Sequence, residues 1–304
     1  SNGLRSGDPT GSGTADAAKV SQPGRRFGRC QSSKLDRDCT GGQSRVGGDF
    51  LTWRVGTAKA IARSLDIYYR DVARTARMDR LNAEFVRPGD LAFDIGAHVG
   101  DRTASYLRLG AQVVAAEPQP PVFRALRLLH GRDPKAHLHC TAVGAMEGRA
   151  AFFVNTGNPT TSTAARDLVA AAPHADAWSD QVWDEEIETQ MTTLDALIST
   201  HGVPDFIKID VEGHEAEVLR GLSQPIRTIV FEFTTLQRRV AVDALQRLDA
   251  LAACRYNYSL GETHTLILPQ WTSASEMTCI LNRLPENDNS GDVYARLNIG
   301  GSFG

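Results

Sequence analysis

The spacing of hydrophobic positions along the chain changes near residue 88. From Phe50 to about Asn82, Ile61, Leu65, Tyr68, Tyr69, Val72 and Ala76 recur at three- and four-residue steps, with Arg63, Arg70, Arg74 and Arg77 between them. That rhythm predicts one or two amphipathic helices, a helical extension over residues 50–87 packed on a domain edge. Arg87-Pro88-Gly89-Asp90 then reads as a turn, with Pro presetting φ and Gly supplying a positive one. Beyond it, short apolar runs alternate with amphipathic stretches. Strands are predicted at Leu91–Ile95, Val113–Ala116, His137–Val143, Phe206–Asp210 and Thr228–Phe233, with a possible hairpin arm at Ala150–Val154. Helices are predicted at Thr103–Leu109, Val122–Leu129, Leu194–Thr200, Glu215–Leu222 and Val240–Ala253. Continuous apolar strands separated by helices imply an α/β fold, a mostly parallel, doubly wound sheet with helices on both faces. Two closing strands, Tyr256–Leu260 and Thr265–Leu268, are joined by the short Gly261-Glu262 loop, so the last strand is expected to run antiparallel.

Composition sets the domain limits. The chain has 304 residues, 41% hydrophobic, enough for one large core without metal or disulfide staples. Residues 1–49 hold ten of the 27 glycines and one aromatic, Phe27, and are expected to be a disordered leader. Residues 285–304, rich in Asn, Asp, Gly and Ser, read as a flexible tail, which leaves a main domain over 88–284. Ser1-Asn2 in place of an initial Met suggests a tag remnant or an excised fragment, from which a true N-terminal signal would be missing. No apolar run approaches the length of a membrane span.

The formal net charge of −3 averages two unlike parts. Eight basic and five acidic residues give the first 49 a balance of +3, so the remainder carries −6. An acidic body argues against a nucleic-acid partner. The five cysteines, Cys30, Cys39, Cys140, Cys254 and Cys279, fit neither a disulfide framework nor a metal site, and a reducing, cytoplasmic setting is the expectation.

Candidate chemistry begins where the first predicted strand ends. Asp94-Ile95-Gly96-Ala97-His98-Val99-Gly100 is a glycine-bearing turn into a helix, the place where an open α/β sheet binds ligands. Glu117 closes the second strand 21 residues after Gly96, where a carboxylate can accept hydrogen bonds from both hydroxyls of a ribose. A nicotinamide fingerprint beginning at Gly96 would need glycines at His98 and Asp101, which disfavours an NAD-dependent oxidoreductase. The pattern found, with Gly96 and Gly100 following Asp94, is similar instead to motif I of the class I S-adenosylmethionine-dependent methyltransferases.

Further along, Asp195 in Thr193-Leu194-Asp195, the run Ile207-Lys208-Ile209-Asp210-Val211-Glu212-Gly213-His214-Glu215, and Glu232 in Ile229-Val230-Phe231-Glu232-Phe233 resemble the signature of the FkbM-type methyltransferase family over roughly residues 85–270. The resemblance implies a Rossmann-like class I methyltransferase fold, S-adenosyl-L-methionine as cofactor, and O-methylation of a small molecule, sugar or glycan. It assigns Asp94, Gly96, Ala97, His98, Gly100 and Glu117 to the cofactor, with Pro118 and Gln119 flanking the ribose acid; where the general class often has an acid after the third strand this chain has Thr141-Ala142-Val143-Gly144, so Ala142 and Val143 are expected near the adenine through backbone and apolar contacts.

Methyl transfer needs an acceptor oxygen held in line and a base for its proton. Asp210, Glu212 and His214 are the candidates, Glu212 equally readable as a helix cap. The spacing of this Asp–Glu–His set defines no ligand geometry, and no metal is assigned. Lys208, in an apolar strand, requires an acidic partner, for which Glu232 is the expected choice. No Cys lies at this edge for pyrimidine methylation, and Asp210-Val211-Glu212 replaces the Pro-Pro-aromatic motif of amino-methyltransferases, which favours an oxygen acceptor. Residues 155–190, with Trp178 and Trp183 beside Thr160–Thr163 and Asp184–Glu186, are expected to form a substrate lid or insertion, its tryptophans suiting a carbohydrate or packing a local helix. A cofactor-binding but inactive interaction module is the further alternative.

Overall fold

The computed structural model describes residues 50–298. The expected leader, with Cys30 and Cys39, lies outside them. Helices α1 (Phe50–Arg70) and α2 (Val72–Asn82) are separated at Asp71, whose side chain caps α2 by accepting the Arg74 N–H. Then follow β1 (Leu91–Ile95), α3 (Asp101–Arg108), β2 (Gln112–Ala116), α4 (Pro120–His130), β3 (Ala136–His139), β4 (Ala142–Val143) and β5 (Gly148–Val154). After α5 (Arg166–Ala171) come β6 (Glu185–Thr192), α6 (Leu194–His201), β7 (Phe206–Ile209), α7 (Glu215–Arg220), β8 (Thr228–Thr234), α8 (Arg238–Leu251), β9 (Cys254–Leu260), α9 (Ala274–Arg283) and β10 (Ser290–Leu297).

Seven strands form one sheet in the order β3-β2-β1-β7-β8-β10-β9, and β4, β6 and β5 form a smaller one. Within the large sheet β10 is the antiparallel strand, paired with β8 on one side and β9 on the other. Side-chain alternation divides the core in two. Phe93, Ile95, Val114, Ala116, Ile207, Ile209 and Phe231 pack under α6, α7 and α8, whereas Ala92, Val113, Ala115, Phe206 and Val230 pack on the other face with Leu81, Tyr106 and Phe123. A sheet buried on both sides explains why these strands read as unbroken apolar runs. Strand order reverses between β1 and β7, which places the ligand crevice at their carboxyl ends.

Three sequence expectations are corrected. The predicted strand over 137–143 is two: β3 pairs with β2, and after a break β4 joins the small sheet. Thr265–Leu268 is not a strand; Ile267 N–H and the Asn257 amide tie this segment irregularly to β9. The antiparallel strand is β10, from the stretch read as a flexible tail. Its alternation of Asp292, Tyr294 and Arg296 with Val293, Ala295 and Leu297 serves two faces of the sheet, and pairing with β8 and β9 satisfies its backbone on both sides.

Candidate active site

The ends of β1, β2 and β7 open into a cavity of about 940 Å³, part of it open to solvent. Gly96 sits at φ +83°, and a Cβ there would meet the Asp210 carbonyl oxygen at 1.7 Å, so only glycine lets the first turn close against the end of β7. Gly96 and Ala97 N–H both donate to the Ala116 carbonyl, which seats the turn on β2. His98 takes a left-handed φ of +49°. Its backbone N–H donates to Glu117 Oε2 at 3.1 Å, while the Gln119 N–H donates to Oε1 at 2.8 Å. Glu117 is 3% exposed, and burial pushes its carboxyl up to about 7 despite these two bonds.

Of the residues singled out in the sequence, Asp94, Gly96, Ala97, His98, Glu117, Pro118, Ala142 and Val143 line this cavity, as do Asp210, Glu212 and His214. Gly100 does not. It begins α3 at φ +85°, packed against Leu126 and His130. Asp94 accepts a 2.5 Å hydrogen bond from the Thr103 hydroxyl, and burial raises its carboxyl to about 6.

The opposite end of the cavity is a cluster of acids on a cationic floor. Carboxylate oxygens of Asp210, Glu212 and Glu232 lie within 4.8 Å of one another. Burial alone would raise Asp210, but Lys208 Nζ at 3.2 Å and Arg102 Nε at 3.8 Å hold it below the ordinary carboxylate range. Burial and the Asp210 charge push Glu212 and Glu232 well above that range. Their surroundings thus favour the ionised form of Asp210 and the neutral forms of Glu212 and Glu232. Glu212 sits at φ +55° and Gly213 at +87°. The loop they form is closed by buried Glu215, whose Oε1 accepts the Val211 and Gly213 N–H groups. His214 follows as the N-cap residue of α7, and burial lowers its imidazole.

The expected Lys208–Glu232 ion pair is corrected. Lys208 Nζ lies 2.6 Å from Asp292 Oδ1, a residue of β10. Glu232 is across from Asp292 in the β8–β10 register, so the lysine reaches past its neighbouring strand to the next. Glu232 Oε2 is buried and unbonded among the described residues, as is His98 Nε2.

Several wall residues carry no sequence signal of their own. Tyr68 arrives from α1, which is fastened by the Tyr69 hydroxyl donating to the Val99 carbonyl at 3.0 Å and by Arg63 donating to the Gly157 carbonyl at 2.7 Å. Glu262 follows β9 and lies 3.6 Å from Arg102, and burial notwithstanding, Arg102 and Arg74 hold it low. Arg102 was detectable in principle, because a cation in the first turn of a helix opposes the dipole unless acids face it. The segment between β5 and β6 contributes Pro159, Thr160, Ser162 and Ala164 to the wall. Its tryptophans do not line the cavity: Trp178 packs with Ala165, Leu168 and Ala172, and Trp183 Nε1 donates to the Thr161 carbonyl.

A protein-family model, the methyltransferase FkbM domain, matches residues 94–258. The 31-O-demethyl-FK506 methyltransferase FkbM of Streptomyces tacrolimicus is 32% identical over 172 residues, which is 48% of this chain and 66% of that protein, just under two thirds of its length. Among solved structures, the chain is similar to a TehB-like SAM-dependent methyltransferase from Corynebacterium glutamicum (13% identity, 82% of this chain and 100% of that one, TM-score 0.40). It is also similar to an O-methyltransferase from Bacillus cereus solved with SAH (12% identity, 82% and 92%, TM-score 0.38). No helix among the described residues is long and apolar enough to cross a membrane.

Proposed function

The chain belongs to the FkbM methyltransferase domain family, whose methyl donor is S-adenosylmethionine, and we propose that it methylates a hydroxyl oxygen of a small molecule, sugar or glycan. The carrying observation is the polarity of the cavity: a buried carboxylate, Glu117, with oxygens free to accept further hydrogen bonds at one end, and an ionised acid, Asp210, at the other. The bound cofactor supplies an activated methyl group. Glu117 takes its ribose hydroxyls, the Gly96–His98 turn its polar chain, with His98 Nε2 as an unused polar group in the wall, and Ala142 and Val143 the adenine.

Asp210, kept ionised by Lys208 and Arg102, accepts a hydrogen bond from the acceptor hydroxyl and orients its lone pair. Asp210, or the imidazole of His214 whose neutral form burial favours, would take the hydroxyl proton as the methyl group leaves sulfur for the acceptor oxygen. Glu212 and Glu232, whose neutral forms are favoured by burial and by the Asp210 charge, are placed to donate to acceptor oxygens or to Asp210. The segment 155–184 and α1 act as the cover that keeps water from the transfer. The relative from Streptomyces, named for a 31-O-demethyl substrate, supports the oxygen acceptor.

The test is transfer of labelled methyl from S-adenosylmethionine to a panel of polyhydroxylated acceptors, with the methylated atom located by NMR. Asp210→Asn should lower kcat by roughly 10²–10⁴-fold while S-adenosylhomocysteine binding stays within a few-fold. Full turnover in an Asp210→Asn, His214→Ala double variant would refute the assignment of the base. A product methylated on nitrogen or carbon would refute the acceptor class.

A further inference from the structure

Among the described residues, seven carboxyl side chains line the cavity but only one guanidinium, that of Arg102, and no lysine. Arg102 stands in the first turn of α3, which begins directly after Gly100. Three carboxylates surround it from three elements: Glu262 after β9 at 3.6 Å, Asp292 of β10 at 3.7 Å and Asp210 at the end of β7 at 3.8 Å. Each of the three has a nearer cation. Glu262 lies 2.6 Å from Arg74, and Asp292 and Asp210 lie 2.6 Å and 3.2 Å from Lys208. Separations of 3.6 Å and more are too long for hydrogen bonds, so these acids hold Arg102 by their field and leave its N–H donors open to the cavity.

A guanidinium in that state is suited to an anion. Its donors lie in a rigid planar fork that matches a carboxylate, and its charge persists across the working pH range. The acids around it restrict which anion can approach, because a purely anionic ligand would meet their repulsion. A zwitterion resolves the conflict: its carboxylate faces Arg102 and its ammonium faces the acids alongside. The amino-acid end of S-adenosylmethionine is such a group, and the Gly96–His98 turn placed against its polar chain leads into the helix that carries Arg102. Tyr68 adds a second donor to the same wall. Its hydroxyl has no hydrogen-bond partner among the described residues, and burial with the charges of Asp101 and Glu262 keeps it protonated.

We propose that Arg102 clamps the carboxylate at the amino-acid end of the cofactor, with the Tyr68 hydroxyl as a second donor and the neighbouring acids facing the ammonium. The inference rests on the cofactor placement proposed above. It also gives the two N-terminal helices a part in cofactor binding: α1 supplies Tyr68, and Arg74 of α2 takes Glu262 as its own partner and so leaves the Arg102 fork free.

Calorimetry on the full chain compares S-adenosylhomocysteine with its decarboxylated analogue, which keeps the adenosine, the thioether and the amine and lacks only the carboxylate. The native protein should bind the analogue roughly 10–100-fold more weakly. Arg102→Met should bring S-adenosylhomocysteine down to the affinity of the analogue while the analogue's own affinity stays within about threefold, so that the discrimination disappears. Arg102→Lys, which keeps the charge without the fork, should restore part of it. Equal affinities of the two ligands for the native protein, or a loss in Arg102→Met that falls equally on both, would overturn the proposal. Unchanged S-adenosylhomocysteine binding in Arg102→Met with a raised KM for the acceptor would overturn it too, by putting the guanidinium at the acceptor. Glu117→Ala separates the clamp from the placement on which it rests, since both ligands keep the ribose and should weaken alike. If that variant weakens neither ligand, the placement fails and the clamp with it; if it weakens both while Arg102→Met changes neither, the clamp alone fails.

Discussion

Glu117 carries two opposed demands. Its carboxylate is buried, which favours the neutral form, yet in the proposed placement of the cofactor its oxygens face a ribose as acceptors. Glu117→Ala should therefore leave the ribose hydroxyls unpaired and weaken S-adenosylhomocysteine binding roughly 10–100-fold by calorimetry, the equivalent of one or two lost buried hydrogen-bond partners. Glu212 holds a different tension, in its backbone. A non-glycine residue at φ +55° beside a left-handed Gly213 is strained on the order of 1 kcal/mol, tolerated because it turns the carboxyl toward Asp210. Glu212→Gly should keep or raise Tm while lowering kcat, whereas Glu212→Gln, which keeps the side chain's length and the strain, should lower kcat without the gain in Tm. Equal Tm values in the two variants would show that the backbone at this position is unstrained.

At the scale of elements, the central pairing is Lys208 of β7 with Asp292 of β10, both nearly fully buried, which joins strands separated by β8. Removing one partner of such a pair strands the other charge, so Lys208→Met and Asp292→Leu should each cost roughly 3–5 kcal/mol in urea denaturation. The double variant should be closer to the native protein than the sum of the two predicts, the mark of a direct coupling. The same pair shows what the sequence could and could not convey. The apolar runs of β1, β2, β7 and β8 identify themselves, because a doubly covered sheet leaves few polar positions. The spacing from Gly96 to Glu117 conveys that the two meet at one cavity, because one turn, one helix and one strand must fit between them. Lys208 in an apolar strand announces that an acid is needed but not which one. Glu232, the near candidate, is pushed toward its neutral form by burial and by the Asp210 charge, and the ionic partner comes from a segment whose Asn, Asp and Gly content resembles a tail. β10 becomes recognisable only once β8 and β9 offer it two edges. Tyr68 and Glu262 were hidden for a related reason: each is an ordinary residue until long-range packing brings α1 and the end of β9 to the cavity.

Over the whole molecule, the buried acids make the unliganded protein's stability depend on pH in a direction unusual for an enzyme. Burial raises Asp94 to about 6 and Glu117 and Glu215 to about 7, against ordinary values of 3.8 and 4.5. For an acid raised on folding, the native state binds the extra proton, so stability falls as pH rises from the unfolded value through the folded one and stays lost above it. A shift of the size found for Glu117 or Glu215 corresponds to roughly 3 kcal/mol for a single group. Asp210 and Glu262, lowered by their cationic neighbours, act the other way: their contribution is present above about pH 4.5 and disappears as pH falls below it. The two trends meet near pH 5. Tm of the unliganded protein should peak there and fall as pH rises to 8, by roughly 6–12 °C for each group that loses about 3 kcal/mol. Saturating S-adenosylhomocysteine should recover part of that loss, because the ribose hydroxyls give the ionised Glu117 the hydrogen bonds that solvent cannot. Glu117→Gln isolates this contribution, since the amide keeps the shape and carries no charge. In differential scanning calorimetry it should flatten the decline between pH 5 and 8 and raise Tm at pH 8, while the stabilisation by S-adenosylhomocysteine shrinks. A variant that kept the native slope would show that the ionised Glu117 is not what the free protein pays for at neutral pH.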